Sequence, residues 1–515
     1  MVNSVGQPPS IIVGVAWLSI ALLYLFNPLL KLKGTGSTWV DAESAPNISR
    51  RSWTSIVAVS NGTTDAEVIA EIKKNTRVPV IITGSPATAW AALERWEDPS
   101  YLASKFPDGK VHGVVSRPDG FFIAPSRGYH RKLDPFVSAT AQDTNVGTAA
   151  VSDFFEPNGP RLYVTGKLDK DPQLRLLQPD VHPKDFLEHP VEDFVGAYMF
   201  LGSGSTANTH LDETSNVIVM MMGRKHVSLF APTQWYDLHL HPFHHPRRHQ
   251  SQRYFPEIEN LAPSSVVVPW GVSELSPGEA LVLPPFWFHR FRCLSSPAAS
   301  LATWHVSPEL EALKWVETQA PPNTIQRQLF PNEFSPPPRG KALDTNMGGM
   351  ALYVRLLGEE LLALSPGVGQ IHVGDLADLT PSNELDLPTA SRLLIRAVVT
   401  SRYLSLTPSM VEREPNLGCG PKWSTRLCPL KAKALPTKDH RDTRSRAHEV
   451  VSGLWEQLKD VDNSAGHLDG VLGMIFSDYI EHMATMAAGP TMVCEFLSCV
   501  AHEGAWKRTR SSVVL

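Results

Sequence analysis

Thr209-His210-Leu211-Asp212 sets an imidazole and a carboxylate two residues apart, and a second imidazole, His289, follows Pro285-Phe286-Trp287-Phe288. In an extended strand, residues i and i+2 share a face. His210 and Asp212 therefore point together while Leu211 packs on the other side. With His289 on a neighbouring strand, two histidines and one carboxylate make a facial set that leaves three cis positions of an octahedral ion open. A chelating co-substrate and dioxygen fill such positions in non-haem Fe(II) chemistry. A His-x-Asp pair alone is more often a surface pair at a strand start, so its surroundings decide.

Those surroundings are mainly β. From about Ala197 short apolar runs succeed one another with turn residues between them: YMFLGS, NVIVMMMG, HVSLFAP, SSVVVPW, EALVLPP, FHRFRCL and ASLATWHV. That spacing predicts an antiparallel sandwich or barrel. Upstream, Asp65 to Lys74 predicts a helix and Val78 to Ile82 a strand. Gln319 to Asn346 is proline-rich and reads as a linker. Beyond it Val450, Val451, Leu454 and Leu458, then Leu468, Leu472, Ile475 and Tyr479, recur at helical spacing and predict a helical C-terminal region. Within that region residues 422–446 are basic and poor in apolar side chains, which predicts an exposed loop. Trp423 is its one stacking residue, a poor platform for nucleic acid.

At 515 residues the chain exceeds what one hydrophobic core usually organises. Its 47 basic and 52 acidic side chains nearly balance, so charge gives no general case for binding nucleic acid. The five cysteines are too scattered for a disulfide framework or a zinc site. Their odd number leaves one thiol over and favours a reducing compartment, although Cys494 and Cys499, in a C-x4-C spacing, retain the option of pairing. Ile11 to Leu30 is uncharged and, as a helix, reaches roughly 30 Å, which predicts a single membrane span. A cleaved signal peptide would need a basic start and a shorter apolar core. Lys31, Lys33, Arg50 and Arg51 after the span turn the folded part towards the cytosol. Two glycosylation sequons, Asn47-Ile48-Ser49 and Asn61-Gly62-Thr63, are usable only in a lumen and leave that orientation open. The expected layout is a membrane anchor (1–33), a stalk (34–62), a catalytic β domain (63–318), a linker (319–346) and the helical region (347–515).

Gly223-Arg224-Lys225-His226-Val227-Ser228-Leu229-Phe230-Ala231-Pro232 lies just after the first two ligands, and Gly278-Glu279-Ala280-Leu281-Val282-Leu283-Pro284 leads into the third. With Phe243-His244-His245-Pro246, Gln250-Ser251-Gln252, Val78-Pro79-Val80-Ile81 and Trp96-Glu97-Asp98-Pro99-Ser100-Tyr101-Leu102, these segments resemble the JmjC or cupin-8 group of 2-oxoglutarate-dependent oxygenases, nearest its asparaginyl hydroxylases. The resemblance covers about residues 64–310. It implies a double-stranded β-helix (jelly-roll) core with flanking helices, Fe(II) held by His210, Asp212 and His289, and 2-oxoglutarate and O2 as co-substrates. It further implies that Lys225 pairs with the distal carboxylate of 2-oxoglutarate, that Asn216 lies near the co-substrate's metal-binding end, and that Gln250 meets the substrate's reacting side chain. The chain departs from the family pattern at several points. Leu211 stands where a tyrosine is common, and Ala207 replaces a threonine, so Thr206 or an upstream tyrosine must supply that hydroxyl. His249 stands where arginine is expected, and Trp304 or His305, depending on register, takes the place of an asparagine.

The activity so implied is oxidative decarboxylation of 2-oxoglutarate to succinate coupled to hydroxylation of a protein side chain, at a membrane. Two other readings share the scaffold: an RNA hydroxylase, or a non-catalytic membrane scaffold whose barrel has lost its co-substrate. The C-terminal helices are a candidate homodimer surface, as helices are in the asparaginyl hydroxylases. The tract His239, His241, His244, His245 and His249 lacks the cysteine or acid that would complete a zinc site and reads as a solvated loop. Gly202-Ser203-Gly204-Ser205 has no following Gly-Lys-Ser/Thr and reads as the turn into the first ligand strand.

Overall fold

The computed structural model describes residues 57–59, 77–115, 121–122, 146–186, 194–252, 269–326, 343–373, 386–404 and 437–502, apart from residues 157, 158, 160, 246, 324, 490 and 491. The span at 11–30, most of the stalk, the helix expected at 65–74, most of the proline-rich stretch and residues 422–436 lie outside the described residues. Among the described residues no single helix is long and apolar enough to cross a membrane.

Eight strands build the core: β1 (Phe194–Gly202), β2 (His210–Leu211), β3 (Ser215–Met222), β4 (Lys225–Phe230), β5 (Gly271–Leu275), β6 (Ala280–Leu283), β7 (Phe288–Cys293) and β8 (Ala298–His305). The larger sheet has nine strands, in the order Val57–Val59, Val80–Ile82, β6, β3, β8, β1, Leu162–Lys167, Lys110–Val115, Val146–Ala150. The smaller sheet runs β5, β4, β7, Thr206–Ala207, Phe121–Phe122, with β2 paired to β7. Near SSVVVPW the described strand begins later than expected, at Gly271.

Strand β3 explains how the layers divide. Every residue of it is buried, and its side chains alternate, as strand geometry requires. Val217, Val219 and Met221 join an apolar cluster with Trp96, Phe154 and Leu177 on the outer face of the larger sheet. Ile218 and Met220 point into the barrel with Leu229, Leu281 and Trp287. Burial on both faces is why this strand reads as an unbroken apolar run.

The helices are α1 (Pro308–Glu317), α2 (Leu343–Leu364), α3 (Pro366–Val373), α4 (Leu387–Val399, continued by a π-turn over Thr400–Leu404), α5 (Thr437–Leu458), α6 (His467–Ala488) and α7 (Val493–Ala501). Helix α2 starts within the stretch read as linker. Residues 437–446 are helical, which corrects the expectation of a basic loop there. Arg444 pairs with Glu359 and Glu360 of α2, and Arg446 reaches Gln319, so these charges stitch helices together. Their charge concealed the helix because the pairing that neutralises it is distant in sequence.

The helical region packs on the barrel. One large apolar cluster runs from Leu211, Phe230 and Phe286 of the barrel to Tyr353, Leu472 and Phe476 of the helices. A Cβ added at Gly470 of α6 would lie 2.4 Å from the backbone of Pro232, so only glycine lets this helix approach the turn after β4. Two buried charge clusters fix the contact. Glu309 of α1 accepts from Arg77 Nε at 2.7 Å and pairs with His467 Nε2 of α6 at 3.0 Å. Arg402 in the π-turn is 1 % exposed and donates to Asp478, at 2.6 Å, and to Glu481 of α6.

Cys494 and Cys499, both on α7, are disulfide-bonded, and Cys293 is a free thiol. This overturns the expectation of a chain without a disulfide framework. Scatter along the sequence hid it, since helix packing and not spacing decides which sulfurs meet.

Two consequences are measurable. Arg402→Met leaves two carboxylates buried without their cation and lowers unfolding stability by about 3–5 kcal/mol, read from urea midpoints. Burial alone would raise the Glu309 carboxyl, but the His467 hydrogen bond and the Arg77 charge hold it down to about 2. A depressed carboxyl contributes stability that is full above its unfolded value and is lost as pH falls through the folded one. Glu309→Gln therefore flattens the acid limb of the stability curve between about pH 4.5 and pH 2.

Candidate active site

Strands β2 and β7 pair antiparallel with His289 opposite His210 and Phe288 opposite Leu211. That register sets both imidazoles on one face, their ring centroids 4.2 Å apart, and turns both apolar partners to the other. Asp212 follows β2 directly, with its Oδ2 3.8 Å from His289 Nε2. One ligand atom from each of the three lies within 4.8 Å of the other two. Phe286, just before β7, has φ +64°, unusual for an aromatic residue. Its N–H donates to Asp212 O at 2.8 Å, which ties the approach to β7 onto the ligand turn.

The hydrogen bonds around the histidines select the atoms that face inward. His210 Nδ1 lies 2.8 Å from Asn208 O, and His289 Nδ1 lies 3.1 Å from Trp287 O. A carbonyl only accepts, so each Nδ1 carries the proton and each Nε2 keeps its lone pair. Asn216 Nδ2 donates to Asp212 Oδ2 at 3.0 Å, leaving Oδ1 as the carboxylate's other donor atom. Burial pushes the Asp212 carboxyl up and drives His289 well below the usual imidazole range. Neutral imidazole is the ligating form, and a divalent cation would offset the burial that disfavours charge on Asp212. The residues fit an octahedral Fe(II) with three protein ligands on one face.

The triad lines a cavity of about 340 Å³. Lys225, the first residue of β4, also lines it and is 2 % exposed. Its Nζ donates to Ser300 Oγ at 2.8 Å and to Phe200 O at 3.1 Å, and no carboxylate among the described residues pairs with it. Burial lowers its pKa to about 8. Asn216 and Gln250 line the same cavity. Asn216 Oδ1 and Trp304 Nε1 are buried without a partner among the described residues, an acceptor and a donor on the cavity wall. Gln250 forms an isolated β-bridge to His210, and the loop that carries it is pinned where His241 N donates to Gln250 O at 3.0 Å.

Thr206 does not line the cavity, whereas Ala207 does. Thr206 pairs with Arg292, whose strand neighbour Phe291 lines the cavity, so the alternation turns Thr206 away from it. The hydroxyls that do line it come from Tyr163, Thr165, Tyr198 and Ser300, in line with the alternative of an upstream tyrosine. The last-strand register is settled as well. Ser300, Ala302 and Trp304 of β8 face the cavity at period two, Trp304 lies opposite Asn216, and His305 packs against Phe194. Ser300 was the residue missed from sequence, although alternation along β8 points to it. The histidine tract is not a solvated loop. His241 and His245 are 4 % and 3 % exposed and stack 4.1 Å apart, and burial takes His241 well below its usual range. His249 fills the place of the expected arginine, with Nε2 3.1 Å from Asp478 and Nδ1 3.3 Å from Glu213.

Residues 67–309 match the family described as cupin-like domain. Among solved structures, the X-ray structure of E. coli ycfD is similar at 18% identity and a TM-score of 0.29, over 54% of this chain and 62% of that one. The chain thus spans less than two thirds of that protein's length. The barrel and its paired ligand strands lie within residues 67–309, the segment that matches the cupin-like domain.

Proposed function

We propose that the domain is an Fe(II)- and 2-oxoglutarate-dependent dioxygenase that hydroxylates protein side chains. The observation that carries this reading is Lys225: a buried ammonium with no anionic partner among the described residues shares one cavity with a two-histidine, one-carboxylate set. Isolated buried charge is costly, and a co-substrate with a carboxylate at its far end and a chelating group at the other satisfies both ends of the cavity. A non-catalytic scaffold would have no reason to keep such a lysine. The protein-substrate class is favoured over RNA because the chain is not basic and Gln250, an amide that can donate and accept, lines the same cavity as the metal ligands.

Each residue then has a task. His210 and His289 present Nε2 while their Nδ1–H groups hold ring orientation. Asn216 holds one oxygen of Asp212, so the carboxylate cannot swing away. Lys225 neutralises the distal carboxylate and Ser300 offers it a hydroxyl. Ile218, Phe291 and Ala302 line the cavity with apolar surface that limits water. When bound, the metal and 2-oxoglutarate together activate O2 and yield succinate, carbon dioxide and a hydroxylated C–H position.

With iron and 2-oxoglutarate under anaerobic conditions, the protein should develop a visible charge-transfer band and, in air, turn over 2-oxoglutarate; His210→Ala should lose bound iron, band and turnover together. Folded, iron-loaded protein with no band would dismiss the oxygenase reading. Lys225 binds the dianion only when protonated, so the dissociation constant of 2-oxoglutarate should be flat below about pH 8 and rise about tenfold per pH unit above it. Lys225→Met should abolish that slope and weaken binding by at least about 30-fold, the counterpart of about 2 kcal/mol for a lost buried charge pair.

A further inference from the structure

Cys494 and Cys499 lie five residues apart on α7, and both are disulfide-bonded. They cannot be bonded to each other. At about 100° and 1.5 Å per residue, helix positions five apart lie about 140° apart around the axis, with Cα atoms about 8.7 Å apart. A disulfide spans at most about 7 Å between Cα atoms. Cys293 is a free thiol, at 3.4 Å from Ser205 Oγ. The chain has five cysteines, so two partners remain, Cys419 and Cys428, both outside the described residues.

We propose that Cys494 and Cys499 are each bonded to one of Cys419 and Cys428, and that the folded chain therefore matures in an oxidising, lumenal compartment, into which the apolar segment 11–30 would direct it. Two disulfides in one domain are the mark of an oxidising compartment, because cytosolic thiol systems keep such cysteines reduced. Each bond joins two thiols with release of two protons and two electrons. A disulfide-bearing oxidoreductase of the lumen takes both up and becomes a dithiol, by exchange through a mixed disulfide. The odd count is then accounted for, with two bridges and one thiol. Cys494 and Cys499 are each 3 % exposed, so the α7 sulfur of each bond is shielded from attack by solvent thiols.

This orientation reverses the one that Lys31 and Lys33 favour. The positive-inside bias is statistical, whereas bonded sulfurs require an oxidant. The same orientation makes Asn47 and Asn61 usable glycosylation acceptors, since both sequons follow the apolar segment and share the domain's side. Neither conclusion depends on the oxygenase reading.

The test is a thiol and glycan map of the full chain expressed in a eukaryotic host. Free thiols are trapped with N-ethylmaleimide in denaturant before reduction, and peptides are identified by mass spectrometry. The expected result is labelling of Cys293 alone, recovery of linked peptides that join Cys419 and Cys428 to Cys494 and Cys499, and a glycosidase-sensitive peptide carrying Asn47 or Asn61. A double variant, Cys419→Ser with Cys428→Ser, should free both α7 thiols for labelling; should it fail to fold, the wild-type map decides alone. Labelling of Cys494 and Cys499 before reduction in folded wild-type protein overturns the proposal. So does a bond between those two. Neither readout requires turnover, so this proposal and the oxygenase reading fail independently.

Discussion

The pairing of β2 with β7 is the constraint on which the site depends. Side chains on a strand alternate, so a slip of one residue between these strands would send His289 to the face now held by Phe288. The register is held from both sides. On the outer face Leu211 and Phe288 join the apolar cluster shared with the helices. On the same strand, β7 runs along β4 for six consecutive pairs, from Lys225 opposite Cys293 to Phe230 opposite Phe288. One strand thus carries the third ligand and sets the position of the lysine relative to it.

The interior of this cavity is arranged at a cost in stability. An ammonium without a counter-charge and a carboxylate whose burial disfavours ionisation both work against folding. Their hydrogen bonds to Ser300, Phe200 and Asn216 hold geometry but do not neutralise charge. The surrounding apolar clusters supply the stability against which that cost is carried. Among the described residues, the unneutralised ammonium of Lys225 and the unpartnered polar atoms of Asn216 and Trp304 line one cavity, which marks it as a place for another molecule to bind.

Much of this was legible in sequence because it is local. His-x-Asp, the alternation of β3 and β8, the glycine turn before β6 and the helical spacing of α5 and α6 each span fewer than about twenty residues, the range over which periodicity carries. Thr206 failed because a one-residue choice between it and Ala207 turns on which side of a two-residue strand faces inward, and pairing to Arg292 decides that. The helix over residues 437–446 and the bonded cysteines were missed for another reason. Their partners, Glu359, Glu360 and the remaining cysteines, are distant along the chain, and no spacing rule reports them.

The helical region does more than cover the barrel. Arg402 is held where the α4 backbone widens into a π-turn, and the carbonyls of that turn are used by the loop that lines the cavity: Gln252 Nε2 donates to Arg402 O at 2.7 Å, and His239 Nδ1 lies 3.1 Å from Ser401 O. Asp478 binds Arg402 with one oxygen and His249 with the other, and His249, at φ +69°, immediately precedes Gln250. The backbone oxygen of His249 in turn accepts from Leu211 N, between His210 and Asp212. A continuous path of hydrogen bonds, two of them to the Asp478 carboxylate, therefore joins α6 to the strand of His210. Such bonds are directional and short-ranged, so α6 cannot shift without moving either the carboxylate of Asp478 or the turn that orients Gln250. The Gln250 edge of the cavity is in that sense built by the helices, and the barrel by itself fixes only the triad and the lysine.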